Sequence, residues 1–509
     1  MNFRPDRRQF IKAVGLAAAS VALPGCAQAS QSAKGGLQRK NPNIIFIMAD
    51  DMGYGDLGCY NENSKIPTPK MDLLAAQGVR FTDAHSPSAV CTPTRYGVLT
   101  GRYCWRSKLK RGVLNGYSPR LIDTERLTVA SLLKRHGYAT ACIGKWHLGL
   151  GDDRKTDFSK PLKPGPNELG FDYFYGISAS LDMPPYCYIE NDRPVEQPSL
   201  KVEAGKASED GWWRAGAISP DFKHVEVLPR LTDKAVEYIN KRAADGPERP
   251  FFIYFALPAP HCPIAPADFA KGRSKAGGYG DYVFEVDWTV GRVMEALDKN
   301  DLTDNTLIML TSDNGSPGRT KVKRDPYSII ELYDHRPSGD LRGIKADIWD
   351  GGHREPFIAR WPARIAPGTT SNELVCLTDL LATSAAIVGA RLPDNAGEDS
   401  YNILPALLGR KPDKPIREAV VHHSVSGIFS IRQGKWKLIL GRGSGGFTKP
   451  RVIKPKPGEP EGQLYNLEED LGETNNLWKQ HPEIVSRLAG LLEKYKSRGH
   501  SRTIQPRKV

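Results

Sequence analysis

Asp50-Asp51 follows one apolar run, Lys145 and His147 follow a second, His261 a third, and Asp313-Asn314-Gly315 a fourth. Taken singly, each has an ordinary explanation: an acidic turn, a satisfied loop histidine, an Asn-Gly turn. Four polar clusters trailing four apolar runs point instead to one shared site. Asp50, Asp51 and Asp313 offer carboxylates and Asn314 an amide, all hard oxygen donors. No Cys or His pair has zinc spacing, so the set suits a hard divalent cation, Ca²⁺ or Mg²⁺, and the number of carboxylates favours Ca²⁺. Such an ion beside Lys145 and Lys345 makes a strongly positive pocket. That pocket suits a substrate oxyanion and the charge that develops as an ester bond breaks. The expected substrate is a sulfate or phosphate ester.

The elements that must position these groups are short runs rich in β-branched and aromatic residues: Asn43–Met48, Tyr138–Ile143, Phe251–Leu257 and Thr306–Leu310. Their length and bounding are those of buried strands. Helix-like stretches lie between them at Thr124–His136, Leu231–Arg242 and Tyr282–Leu297, with another at Leu374–Val388. Alternation of this kind predicts a layered α/β sheet whose strand carboxyl ends carry the site. Arg391–Pro415, rich in Pro, Gly and charge, reads as a linker or domain edge. Beyond it, short strands at Ala419–His422, Gly427–Arg432 and Trp436–Leu440, a polar stretch Gln463–Trp478 and a helix His481–Tyr495 predict a small α+β unit. The expected division is a catalytic domain over 40–400, a C-terminal subdomain with a small antiparallel sheet over 415–495 and a basic tail over 496–509.

A fifth cluster is Cys91-Thr92-Pro93-Thr94-Arg95-Tyr96-Gly97-Val98-Leu99-Thr100-Gly101-Arg102. Pro93 suits a first helical position and Gly101 a helix end, so Cys91 is expected at a helix N-terminus, a natural anion site. Read alone, a single cysteine is most simply a buried core residue. Cys-x-Pro-x-Arg followed by Leu-Thr-Gly-Arg resembles the signature of the type I sulfatases, of the alkaline phosphatase superfamily. The resemblance extends from Asn43 to about Leu477, through Ala49-Asp50-Asp51-Met52-Gly53-Tyr54-Gly55-Asp56, Gly144-Lys145-Trp146-His147-Leu148-Gly149, Ser312-Asp313-Asn314-Gly315 and Gln463-Leu464-Tyr465-Asn466-Leu467. Thr94 departs from the serine common in the family and keeps its hydroxyl.

The resemblance implies an alkaline phosphatase-like fold: a large mixed sheet flanked by helices. It also implies that Cys91 is oxidised to formylglycine by a maturation enzyme and works as the aldehyde hydrate. By the same carry-over, Asp50, Asp51, Asp313 and Asn314 hold one Ca²⁺ together with residue 91, while Arg95 and Lys145 steady the modified side chain. A hydrate hydroxyl attacks sulfur, His261 reinforced by Lys345 protonates the leaving alcohol, and His147 removes a proton so that sulfate is expelled. A plain serine would not serve, because a sulfated serine has no second hydroxyl to drive release.

The segment Ser316–Arg342, with Arg319, Lys321, Lys323, Arg324, His335 and Arg336, is long enough for a substrate loop, and His335 and Arg336 are candidate substrate contacts. Trp212-Trp213, and Trp105 with Tyr103, are candidates for stacking on sugar faces. These features favour a sulfated carbohydrate, with a galactose-type or hexosamine 6-sulfate as the specific expectation. The alternatives are a phosphate or phosphonate ester hydrolase of the same superfamily, or a sulfated-glycan-binding protein without turnover if Cys91 is not matured.

Composition is that of an ordinary globular protein. Of 509 residues, 71 are Lys or Arg and 58 Asp or Glu, a net charge of +13 that favours acidic substrates by electrostatic steering. No segment resembles a nucleic-acid motif. Asp6-Arg7-Arg8-Gln9-Phe10-Ile11-Lys12 before the apolar run Ala13–Gly25 reads as a twin-arginine signal within residues 1–29, implying the export machinery as partner and a periplasmic location. It ends either at a lipoprotein-like box before Cys26, which would be lipid-anchored, or at Ala27-Gln28-Ala29. Eight cysteines without a C-x-x-C pair leave any disulfide pairing open.

Overall fold

The run Asn43–Ala49 is apolar at nearly every position and wholly buried, the pattern of a strand covered on both faces by helices. It is the middle of a ten-stranded sheet. In chain order the strands are β1 (Asn43–Ala49), β2 (Val79–Phe81), β3 (Ala139–Lys145), β4 (Tyr173–Ile177), β5 (Ile189–Glu190), β6 (Arg193–Pro194), β7 (Phe251–Ala256), β8 (Thr306–Ser312), β9 (Phe357–Arg360) and β10 (Thr369–Ser371). They lie side by side as β10-β2-β9-β8-β1-β7-β3-β4-β5-β6. The five central strands β8, β1, β7, β3 and β4 run parallel, and antiparallel neighbours flank them. This is the expected large mixed sheet. The computed structural model describes residues 41–208, 211–246, 248–318, 328–411 and 413–504.

The register aligns the carboxyl ends. Met48 pairs with Ala256, Ala49 with Ser312, and Ala256 with Gly144. Asp50, Lys145 and Asp313 therefore leave the sheet in one layer. Alternate residues of β1 enter different cores: Ile44, Phe46 and Met48 pack with Tyr96, Val98 and Leu99, whereas Ile45 and Ile47 pack with Leu231, Val283 and Val286. In helix Gly277–Lys299, Val283, Val286, Val290, Val293 and Leu297 are buried at alternating spacings of three and four. That is the stripe a surface helix turns to a sheet, each residue contributing about 1.5–3 kcal/mol of burial.

Two helices depart from expectation. The predicted Thr124–His136 begins only at Val129, because Thr128 caps it: Thr128 Oγ1 accepts from Ser131 N at 3.0 Å while Ser131 Oγ accepts from Thr128 N at 3.0 Å. Thr128 Oγ1 also donates to the Leu169 carbonyl at 2.6 Å, so Thr128→Ala is expected to cost about 1–2 kcal/mol, read as a fall in the urea midpoint at constant slope. The predicted Leu374–Val388 is interrupted. Val375–Cys376 pairs as a short parallel strand with Ala84–His85, and the helix starts at Leu380, after Asp379 has accepted from Cys376 N at 2.9 Å.

The C-terminal sheet is antiparallel in the order β11 (Val420–His423), β12 (Phe429–Gln433), β13 (Trp436–Ile439), β14 (Gln463–Asn466). Its fourth strand lies in the stretch read as merely polar. Helix Pro482–Ser497 closes one face with Leu488, Leu492 and Tyr495. Tyr103 and Trp105 belong to this same core, stacked on each other with ring centroids 5.6 Å apart, so the pair anchors the small sheet and is not a sugar platform.

The export pattern, Cys26, both cleavage sites, Arg319, Lys321, Lys323, Arg324 and residues 505–509 of the basic tail lie outside the described residues. Among the described residues none of the seven cysteines is in a disulfide, and no helix is long and apolar enough to cross a membrane.

Candidate active site

The helix Cys91–Thr100 starts with Cys91 as its first residue, two positions earlier than Pro93 suggested. Thr94 Oγ1 donates to the Ser88 carbonyl at 3.0 Å, which ties the entering segment to the first turn. Gly101, at φ 62°, closes the helix with its N–H on the Gly97 carbonyl at 2.8 Å, a conformation glycine adopts without strain. Cys91 is thereby set at the positive end of a helix facing the strand ends.

At the end of β1, Asp51 takes a left-handed turn (φ 73°), which aspartate tolerates better than most residues. Asp50 Oδ2 accepts from Lys145 Nζ at 2.5 Å, and Cys91 Sγ lies 3.5 Å from Asp50 Oδ1. Arg95 donates to Asp313 Oδ2 through Nε at 3.0 Å and Nη2 at 2.6 Å, and through Nη1 to the Lys145 carbonyl at 3.0 Å. Asn314 Nδ2 donates to Asp51 Oδ1 at 2.7 Å. Lys345 Nζ donates to the same carboxylate oxygen and lies 3.7 Å from Cys91 Sγ. Lys345 is placed by backbone bonds on both sides, its N–H on Ser316 O and that of Ala346 on Ala89 O, each 2.8 Å. Gly315 permits the approach, since a Cβ there would lie 2.0 Å from the Gly351 carbonyl. Arg95 and Lys145, expected to steady residue 91, bond here to Asp313 and Asp50 and bear on Cys91 through those carboxylates.

Three carboxylates facing three cations leave this cluster near neutrality. Burial alone would raise the Asp50 carboxyl, but Lys145, His261, Arg95 and Lys345 together hold it well below the usual range. Asp313 moves the other way, to about 7, through burial and the neighbouring Asp50 charge. Lys345 is kept charged: burial opposes its charge, and the Asp51, Asp50 and Asp313 carboxylates outweigh it. The Cys91 thiol is pushed up to about 12 by burial despite Lys145 and Lys345, so the unmodified side chain is a neutral thiol and a poor nucleophile.

Asn314 Oδ1 is buried with no hydrogen-bond partner among the described residues, and Asp50, Asp51, Cys91 and His261 each offer a ligand atom within 4.8 Å of the others. An orphaned amide oxygen beside three carboxylates fits a hard divalent cation. The two histidines differ. His147 Nε2 donates to the Leu114 carbonyl at 2.8 Å, leaving Nδ1 buried and unpartnered, and burial with Lys145 holds the ring well below its ordinary pKa, hence as a neutral base. His261 Nδ1 donates to the Cys262 carbonyl at 2.6 Å, and Nε2 stands 3.8 Å from Asp51 Oδ2.

Cys91, His147, His261 and Lys345 meet on the wall of one cavity of about 450 Å³, which Trp212 and Asp182 also line. Arg214, paired with Asp182 and stacked 4.7 Å over Trp212, links it to an outer cleft of about 480 Å³ whose walls include Asn115, Tyr117, Arg154 and Lys155. Asp182 and Arg214 carry no motif, and the sequence reading missed them.

His335 and Arg336 are not brought to this cavity. The His335 ring is fully buried: Nε2 donates to Asp56 Oδ1 at 2.8 Å and Nδ1 accepts from Lys65 N at 3.3 Å. It braces the loop after β1, whose Gly55 N–H bonds Pro337 O at 2.6 Å. Arg336 lines a separate depression with Tyr54, Tyr60 and Arg354. The expectation that these two contact substrate is corrected on that ground.

The sequence model of the Sulfatase family matches residues 42–390. The chain is similar to an N-acetylgalactosamine-6-O-sulfatase of Bacteroides thetaiotaomicron, 36% identical, the match covering 94% of this chain and 97% of that protein. It is also similar to human arylsulfatase A, 35% identical over 86% of this chain and 83% of that one. Among solved structures, a Bacteroides thetaiotaomicron protein from the metabolism of multiple glycosaminoglycans superposes with a TM-score of 0.80 at 35% identity, covering 90% of this chain and all of that one.

Proposed function

The chain belongs to the sulfatase family, a sulfuric ester hydrolase by descent, and on that premise we propose that it removes 6-O-sulfate from a galactose-type or hexosamine unit of a sulfated carbohydrate. The observation that carries the reading is the convergence of Cys91, His147, His261 and Lys345 on one cavity beside the carboxylate cluster. The outer cleft, with the exposed Arg154, Lys155 and Arg214, supports a polymeric anionic substrate over a small aryl ester. Names of the relatives support the 6-position on galactosamine.

Asp50, Asp51, Asp313 and Asn314 would hold the Ca²⁺, which supplies a fixed positive charge for the sulfate oxygens. Formylglycine made from Cys91 supplies a hydrated aldehyde, a nucleophile that the buried thiol is not. The chain's own groups do the rest. Lys145 keeps Asp50 ionised, and Arg95 holds Asp313 in place. Lys345, held charged, faces the position of the attacked ester. His261 presents Nε2 for delivering a proton to the departing sugar oxygen, and His147 presents the free Nδ1 lone pair for taking one.

The reading includes maturation of Cys91 by a formylglycine-generating enzyme in the cytoplasm, then twin-arginine export to the periplasm, with lipidation at Cys26 if the lipoprotein box is used. It is supported by Arg7-Arg8 and the apolar run that follows. In protein from the native host, the peptide containing residue 91 is expected about 18 Da lighter than its cysteine form.

The substrate is tested by sulfate release from N-acetylgalactosamine 6-sulfate, its 4-sulfate isomer and the matched 6-phosphate. The expected kcat/KM preference for the 6-sulfate is at least about 10²-fold over each, the scale of discrimination by misplaced polar groups. Preference for the phosphate would assign the pocket to phosphate esters. Binding of all three without turnover by protein carrying the lighter peptide would reduce the molecule to a glycan binder.

A further inference from the structure

Three histidines far apart in sequence meet in the interior where the C-terminal sheet joins the catalytic body: His85, His353 and His422, each fully buried. Each offers a ring nitrogen within 4.8 Å of the other two. They share no residue with the carboxylate cluster.

The outer nitrogen of each ring faces an acceptor. His85 Nε2 is 2.9 Å from Asp83 Oδ1, His353 Nε2 is 3.1 Å from the Ile348 carbonyl, and His422 Nδ1 is 3.1 Å from the Ser86 carbonyl. An outer N–H donated to a carboxylate or carbonyl fixes the tautomer and leaves a lone pair on the inner nitrogen, the arrangement of metal-ligating imidazoles. The inner nitrogens are then His85 Nδ1, His353 Nδ1 and His422 Nε2. The first two are 3.1 Å apart. The third is buried with no partner. Without a shared cation, lone pairs face one another in the interior; with nitrogen ligands at roughly 2.0–2.1 Å, a tetrahedral ion sets its ligands about 3.3 Å apart.

The neighbouring cations have partners of their own. Arg432 Nη1, 3.2 Å from His85 Nε2, donates to Asp83 Oδ1 at 2.6 Å. Lys437 Nζ, 3.3 Å from His353 Nε2, is paired with Asp350 at 2.7 Å and Glu473 at 2.8 Å. Burial keeps all three rings neutral at neutral pH, as ligands must be.

We propose that His85, His353 and His422 bind one borderline divalent transition metal of the zinc class, as a structural site separate from the oxygen site. Imidazole ligands select this class over Ca²⁺ and Mg²⁺. The ion joins β11, through His422, to the segment leading into the Cys91 helix, through His85, and to the Asp350–His353 turn. Ser86 takes part twice, its carbonyl accepting from His422 and its N–H donating to the His353 carbonyl at 2.8 Å.

The test uses the full mature protein, stripped with a chelator and equilibrated with Zn²⁺ in excess Ca²⁺, which fills the oxygen site. About one tightly held zinc per chain is expected by elemental analysis, falling below about 0.1 in His422→Asn. Wild-type protein retaining less than about 0.1 zinc would overturn the proposal, as would full zinc in the variant. X-ray absorption of the wild-type zinc form does not depend on the variant folding. Three imidazole nitrogens at about 2.0–2.1 Å support the site, and a shell of carboxylate oxygens alone overturns it.

Discussion

Cys91→Ser is expected to lower steady-state kcat by on the order of 10⁴–10⁶-fold, the range seen when a covalent nucleophile is removed. The reason lies in the second half of the reaction. A serine hydroxyl at the same helix start can still meet Asp50 and Lys345, so attack on sulfur is geometrically open to it. A sulfated serine, however, has no second hydroxyl from which the unpartnered His147 Nδ1 can take a proton, and the ester stays on the enzyme. The variant should release at most one alcohol per chain in a burst and then stop. Folding should be spared, with a stability change under about 1 kcal/mol, because Sγ makes only long contacts and the exchange is nearly isosteric. The measurement is pre-steady-state release from protein whose residue 91 is confirmed as serine by peptide mass. Sustained turnover within about tenfold of the matured enzyme would remove formylglycine from the account.

Legibility of this molecule followed how locally each feature is encoded. Strands β1, β3, β7 and β8 could be read within two residues because a strand covered on both faces shows as a short apolar run, such as Asn-Ile-Ile-Phe-Ile-Met-Ala in β1 and Phe-Phe-Ile-Tyr-Phe-Ala in β7. Their polar trailers were legible for the same reason, since register places Asp50, Lys145 and Asp313 in one layer. His335 misled because position in the chain between two site segments says nothing about burial. Its partner, Asp56, is 279 residues away and itself fully buried. Asp182 and Arg214 were invisible because their pairing is tertiary and neither lies in a motif. The three histidines were passed over on the argument that no pair has zinc spacing, which holds for local metal motifs and fails for ligands assembled from Ala84–His85, from His353 just after the Asp350–Gly352 turn, and from β11.

The second large effect separates His261 from the rest of the site by the leaving group it serves. A sugar alkoxide is a poor leaving group and needs its proton as the S–O bond breaks, whereas a nitrophenolate leaves readily without one. His261 is placed for that donation: Nδ1–H is committed to the Cys262 carbonyl, which leaves Nε2, at the cavity wall and 3.8 Å from Asp51 Oδ2, as the nitrogen that faces the leaving group. Lys345 is a poorer donor, because the carboxylates around it hold its ammonium charged. His261→Ala is therefore expected to reduce kcat/KM on a 6-sulfated sugar by about 10²–10⁴-fold, equivalent to roughly 2.7–5.5 kcal/mol of lost transition-state stabilisation. On 4-nitrophenyl sulfate the same variant should lose less than about tenfold, since only an acid-assisted departure is removed. Lys345→Met, which removes charge near the sulfate and not a proton from the leaving oxygen, should depress both substrates alike. Equal losses on the two esters in His261→Ala would show that this histidine orients substrate or supports Asp51, and would pass the proton donor's role to another group in the cavity.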